Sequence, residues 1–207
     1  MNKSRLEAFS DGVLAIIITI MVLDIKVPGQ SDWDGLMHLL PTLTSYVLSF
    51  ALVGVYWNNH HHLLNSLKKI SSNIMWSNLN LLFWLSLIPF GTKWMGETHF
   101  NKFTLILYAI LLVICGLSYS LLQNQIVISL KGTKSDLPAI IKKQNFKVLI
   151  SGAAALLAIP AAYVDTKISL ALFATSSIIW IIPSKAIENE LSKKDKNDTD
   201  TKETRAI

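Results

Sequence analysis

Three groups of residues in this 207-residue chain carry side chains able to do chemistry. The first is Arg5, Ser10 and Asp11, a guanidinium, a hydroxyl and a carboxylate delivered to the edge of the uncharged run Gly12–Leu23. Ionisable groups at such a boundary are costly unless paired or hydrated, which makes them functional candidates by default. On a helix Arg5, Phe9 and Gly12 share one stripe, with Ser10 and Asp11 on the next. Mutual pairing of Arg5 and Asp11 is the expected way to keep both charges there. The second group is His60, His61 and His62, which invites a metal reading. Consecutive helical residues point about 100° apart and cannot converge on one ion from a single chain, so no metal is expected. The third is the lone Cys115, which has no partner for a disulfide within the chain and reads as a small core filler. Neither Gly-x-Ser-x-Gly nor His-Glu-x-x-His occurs, so no enzyme is expected.

The elements that must position these groups are apolar. Charged residues make up only 16% of the chain and mean hydropathy is +0.42, against about 25% charged in a soluble domain. Lys, Arg, Asp and Glu are absent from Gly12–Leu23, Gly35–Leu67, Ile70–Thr92, Phe103–Leu130, Val148–Val164 and Ile168–Ser184. These windows predict an all-α integral membrane protein with six transmembrane helices per subunit, over approximate spans 5–27, 36–65, 70–93, 102–130, 146–164 and 167–185. Residues 1–185 form the membrane domain in this reading, and 186–207 a polar cytoplasmic tail expected to be poorly ordered. The first run holds Glu7 and Asp11 at its start and no small-residue cleavage site after Leu23, so it is read as retained rather than as a signal peptide. Pro89 and Pro160 fall within the third and fifth spans as possible kinks.

With the N-terminus in the cytoplasm, fifteen of the nineteen Lys and Arg fall in inner segments, leaving Lys26, Lys93, Lys102 and Lys167 outside. That bias predicts both termini inside. The net charge of +5 is then a topology signal and a match to anionic lipids, and no nucleic-acid partner is implied.

Arg5-x-x-x-Phe9-Ser10-Asp11 leading into an isoleucine-rich first helix resembles the bacterial relatives of the endosomal and lysosomal transmembrane potassium channel. Trp57-x-x-His60-His61, near the inner end of span 2, is a second match, and the layout covers nearly the whole chain. The resemblance implies a potassium-preferring leak channel of a bacterial inner membrane without a P-loop filter, a homotetramer with its pore lined by helix 1. No Thr-Val-Gly-Tyr-Gly occurs, and Val53-Gly54-Val55-Tyr56 lies inside a long apolar span. By the same resemblance the constriction falls five, eight and twelve residues after the motif aspartate, at Ile16, Thr19 and Leu23. Spacings of three and four put them on one helical face. Trp57 and His60 or His61 are implied to brace the Arg5/Ser10/Asp11 cluster. No cofactor is expected, only permeant potassium and other monovalent cations.

Two alternatives stay open from the residues. A proton-permeable channel of the same architecture is one, because an apolar lining has no carbonyl cage to exclude protons. A small secondary transporter is the other, although Pro89 and Pro160 do not fall at equivalent positions of two halves.

Overall fold

A computed structural model describes residues 2–67, 69–130 and 145–181, with side chains over 2–67, 69–130 and 149–175. Lys68, the basic segment from Lys131 to Lys143 and the tail expected over 186–207 lie outside the described residues. Among the described residues all regular structure is helical: α1 Lys3–Leu23, α2 Trp33–Asn65, α3 Ser72–Leu85, α4 Ile88–Glu97, α5 Lys102–Ser129, α6 Asn145–Val164 and α7 Thr166–Ile181. Four stretches, Lys3–Leu23, Trp33–Asn65, Ser72–Glu97 and Lys102–Ser129, are long and apolar enough to cross a membrane. Leu149–Val164 and Thr166–Thr175 are shorter apolar helices.

Helix α1 is about 32 Å long, close to the thickness of a hydrocarbon core. It buries Leu6, Ser10, Leu14, Ile17 and Met21, one stripe at helical spacing, against α2, α3 and α4. Helix α2, about 50 Å long, exceeds that thickness and must tilt or project. It starts where Asp32 Oδ1 accepts the Gly35 amide at 2.9 Å, with Asp34 in the first turn, both favourable at the positive end of a helix dipole.

The third expected span, 70–93, is not one helix. It breaks at Ser86 and Leu87 and resumes as α4, with Pro89 in the first turn. Proline has no N–H and its ring crowds the carbonyl one turn back, which weakens the helix around residues 85–87, although Pro41 and Pro160 sit inside α2 and α6 without dividing them. Ser86 Oγ donates to the Phe83 carbonyl at 2.7 Å and satisfies one of the groups the break exposes. Helix α4 then runs on to Glu97, past the expected end.

Glycines set how closely α4 approaches its neighbours. A Cβ at Gly96 would sit 2.6 Å from Ser45 Oγ and 2.9 Å from the Thr42 Cα, and one at Gly91 2.9 Å from the Tyr108 ring. The buried hydroxyls of Tyr108, Ser49 and Thr92 follow one another at 2.7 Å, joining α5, α2 and α4. Thr92 Oγ1 also lies 2.8 Å from the Ile88 carbonyl and 3.8 Å from Met21 Sδ of α1. Helices α6 and α7 form a hairpin whose connection is Asp165, with Oδ1 accepting the Lys167 amide at 2.8 Å. Ala155, Ala158 and Ala162 are buried there, and Ser169 Oγ donates to the Ala158 carbonyl at 2.6 Å.

Small residues at membrane helix crossings admit close backbone contact that nothing larger fits. Gly96→Ala is therefore expected to lower stability by about 1–3 kcal/mol, seen as a lower Tm in detergent. Gly54→Ala, where a Cβ meets nothing within 4 Å, is expected to be neutral or stabilising.

Candidate functional site

The motif end of α1 is tied down by two polar networks. The inner one is dry: Ser10, Asn78 and His60 are all buried. Ser10 Oγ donates to the Leu6 carbonyl at 2.8 Å and accepts from Asn78 Nδ2 at 2.9 Å. That turns Asn78 Oδ1 toward His60 Nε2, 2.6 Å away. An amide oxygen only accepts, so His60 carries its proton on Nε2. Three helices, α1, α3 and α2, are thereby joined through one asparagine.

The second network is more exposed. Trp57 Nε1 donates to Asp11 Oδ1 at 3.0 Å, and the Trp57 ring stacks on His61 with centroids 6.1 Å apart and planes 28° from parallel. Asn65 Nδ2 lies 3.0 Å from His61 Nε2. Lys3 Nζ donates to the Asn65 carbonyl at 3.0 Å and to its Oδ1 at 3.2 Å, and stands 3.6 Å from Glu7. His62 meets the ring of His61 edge-on, at 5.9 Å.

The Arg5–Asp11 pair expected from the sequence does not form within the subunit. Six residues rotate a helix through about 600°, leaving the two side chains about 120° apart in azimuth and about 9 Å apart in height. Asp11 takes the Trp57 indole instead. Arg5 is exposed, as is Phe9, and Arg5 has no partner among the described residues. Ser10, Asp11, Trp57, His60 and His61 thus come together, while Arg5 and Phe9 stand on the outer surface of α1. Asn78, Asn65 and Lys3 are the residues that sequence reasoning missed. No group of three or more His, Cys, Asp or Glu among the described residues could hold a metal.

Opposite the buried stripe, α1 presents a bare apolar face. Ile16 is 59% and Leu23 76% exposed, and Thr19 lies exposed between them, while Ile17 is 3% exposed. Thr19 Oγ1 donates to the Ala15 carbonyl at 2.9 Å, which uses its proton and leaves its oxygen lone pairs free to face a cation. Arg5 lies on the same face, five turns below Leu23. At the far end of α1, Lys93 Nζ of α4 meets Asp24 at 2.6 Å and Lys26 meets Glu97 at 3.2 Å. Both ends of the helix are therefore fastened on one side, and its other side is left open.

Several apolar helices around a polar-anchored first helix define a multi-span integral membrane protein. The profile of the endosomal/lysosomal potassium channel TMEM175 family matches residues 5–89. A potassium channel of Chryseobacterium sp. (strain P1-3) is 45% identical over 193 residues, 93% of this chain and 100% of that protein. A potassium channel of Streptomyces collinus is 35% identical over 131 residues, 59% of this chain and 64% of its own length. The human endosomal/lysosomal proton channel TMEM175 is 40% identical over 81 residues, 33% of this chain and 16% of that protein. The fold is similar to the crystal structure of a lysosomal potassium-selective channel TMEM175 homolog from Chamaesiphon minutus, with a TM-score of 0.76 and 23% identity, covering 88% of this chain and 97% of that one. The chain belongs to the TMEM175 family of ion channels and is not an enzyme.

Truncating Asn78 strands both Ser10 and His60, and an unsatisfied buried polar group costs about 1–3 kcal/mol. Asn78→Ala should lower Tm by several degrees, and adding His60→Ala should lower it by less than the sum of the two. Arg5→Ala should change the stability of the subunit fold by no more than about 0.5 kcal/mol. Thermal melts of the detergent-solubilised variants measure all three.

Proposed function

We propose that this chain is one subunit of a potassium-conducting channel, with four copies around a pore lined by α1. The observation that carries the ion is the 45% identity to a potassium channel over that protein's whole length. What supports the lining is the exposed face of Ile16, Thr19 and Leu23 on a helix whose other face is anchored at both ends. A lone subunit cannot enclose a path for ions along one helix face, and closed cyclic symmetry is the usual way for several copies to do so. Six spans in a domain over 1–185, both termini in the cytoplasm and a bacterial inner membrane complete the reading, with the charge bias supporting the orientation and the bacterial relatives supporting the membrane.

Rings of apolar side chains pass ions only when those ions shed water or when the ring wets. Potassium, larger than sodium, holds its hydration shell less tightly and crosses such a barrier more readily. Thr19 adds oxygen ligands between two apolar rings, which eases that loss of water. Arg5, Phe9, Ser10, Asp11, Trp57, His60 and His61 act in this reading as bracing for the inner end of the pore helix, some within a subunit and Arg5 and Phe9 between subunits. Proton permeation is the second reading. It is favoured by the name of the human relative, whose match covers a third of this chain.

Reversal potentials of the purified protein in planar bilayers, first under a potassium/sodium gradient and then under a pH gradient, separate the two ions. Ile16→Asn is expected to raise conductance and erode potassium preference, and Thr19→Val to lower conductance at nearly constant volume. Ile17→Asn, on the buried face, should cut stability by a few kcal/mol while leaving selectivity intact in the channels that form. Selectivity that follows Ile17 and ignores Ile16 would put the wrong face toward the ions. Native mass spectrometry in detergent should show tetramers, and monomers alone at working concentration would sink the pore arrangement.

A further inference from the structure

We propose that Lys93 and Lys26 mask Asp24 and Glu97 at the mouth of the pore beyond Leu23, keeping the local concentration of permeant cations below what bare carboxylates would produce. This rests on the pore reading above and goes beyond it by assigning residues that set ion entry rather than the constriction itself.

Asp24 follows Leu23 directly, its backbone about 1.5 Å further along the axis than that of the last apolar ring. Its side chain is turned toward α4, where Lys93 Nζ meets it at 2.6 Å. A helix with its side chains is about 10–12 Å across, so a carboxylate on the α4 side of this end stands on the order of 10 Å from ions passing the lining face. One turn further along α4, Glu97 meets Lys26 at 3.2 Å. Two carboxylates and two ammonium groups therefore cancel at this end of every subunit. Neither pair is dry: the Lys93 and Asp24 side chains are 36% and 31% exposed, those of Lys26 and Glu97 79% and 45%. Ion pairs this wet add little to folding, so stability alone is a weak reason for placing four charges at the end of the lining helix. An unmasked carboxylate about 10 Å from a monovalent cation in water concentrates it about two-fold, and four subunits multiply the effect. Salt removes it, because the screening length falls from about 30 Å at 0.01 M to about 3 Å at 1 M.

The test is single-channel conductance of the full-length protein in planar bilayers, in symmetrical potassium chloride at about 0.02 M and 1 M. Lys93→Gln is expected to raise conductance about two-fold or more at low salt and to match wild type at 1 M. Lys26→Gln, at the more exposed pair and safe for folding, should act in the same direction and more weakly. Asp24→Asn should lower conductance at low salt, and the double change Asp24→Asn with Lys93→Gln should restore it. Low-salt conductance at wild-type level in both lysine variants, or a change that persists at 1 M, overturns the proposal and leaves the two pairs as fasteners between α1 and α4 alone. Ile16→Asn runs in the same membranes. A pore that responds at Ile16 and ignores both lysines refutes the masking alone, whereas wild-type protein that carries no potassium current refutes both readings.

Discussion

The geometry of α1 depends on a constraint that lipid imposes. Hydrocarbon tails are as apolar as leucine, so burying Leu14 or Ile17 against neighbouring helices gains little over leaving them in the bilayer. Polar contacts must therefore hold the helix in azimuth. Ser10, through Asn78 and His60, fixes one end, and Asp24, through Lys93, fixes the other. The buried hydrogen bonds set the azimuth of α1, the wetter ion pair adds a second contact at its far end, and Ile16, Thr19 and Leu23 lie together on the unpartnered side. The buried asparagine is the more consequential anchor because every polar atom it joins is out of water, where a lost partner cannot be replaced by solvent.

Helix α4 exists as a separate piece for the same reason. A continuous helix through residue 86 would carry Thr92, Lys93 and Gly96 along a direction set by α3. The break at Ser86 and Pro89 frees α4 to aim these residues at α1 and α2 instead. Gly96 then allows the close crossing with Thr42 and Ser45. Thr92 reaches Ser49 and Met21, and Lys93 reaches Asp24.

Much of this was legible in the amino-acid sequence. Charge-free windows marked the helices, and the three-and-four spacing of Ile16, Thr19 and Leu23 placed them on one face. What failed did so for geometric reasons. Arg5 and Asp11 are close along the chain and opposite in charge, yet six residues is the wrong angular step for a helical pair. Asn78 sits 68 residues from Ser10 in a polar-flecked stretch with Asn73 and Asn80 nearby, and nothing in spacing singles it out. Lys93 reads as a loop charge when lysines are only counted by side, because the helix extends past the end of the uncharged window. Pro89 announced a disturbance, but whether a proline kinks a helix or divides it depends on tertiary partners that a window of sequence does not contain.

The single-residue link at Asp165 bears on the order in which the helices can pack. Helix α7 as described, 16 residues, is about 24 Å long, short of a full hydrocarbon crossing. Both it and α6 are apolar, and the Ser169 side chain ties it to α6 by donating to the Ala158 carbonyl. A one-residue link keeps the two helices close before either packs, so pairing them closes the shortest of loops and loses little chain entropy compared with docking either one on α5.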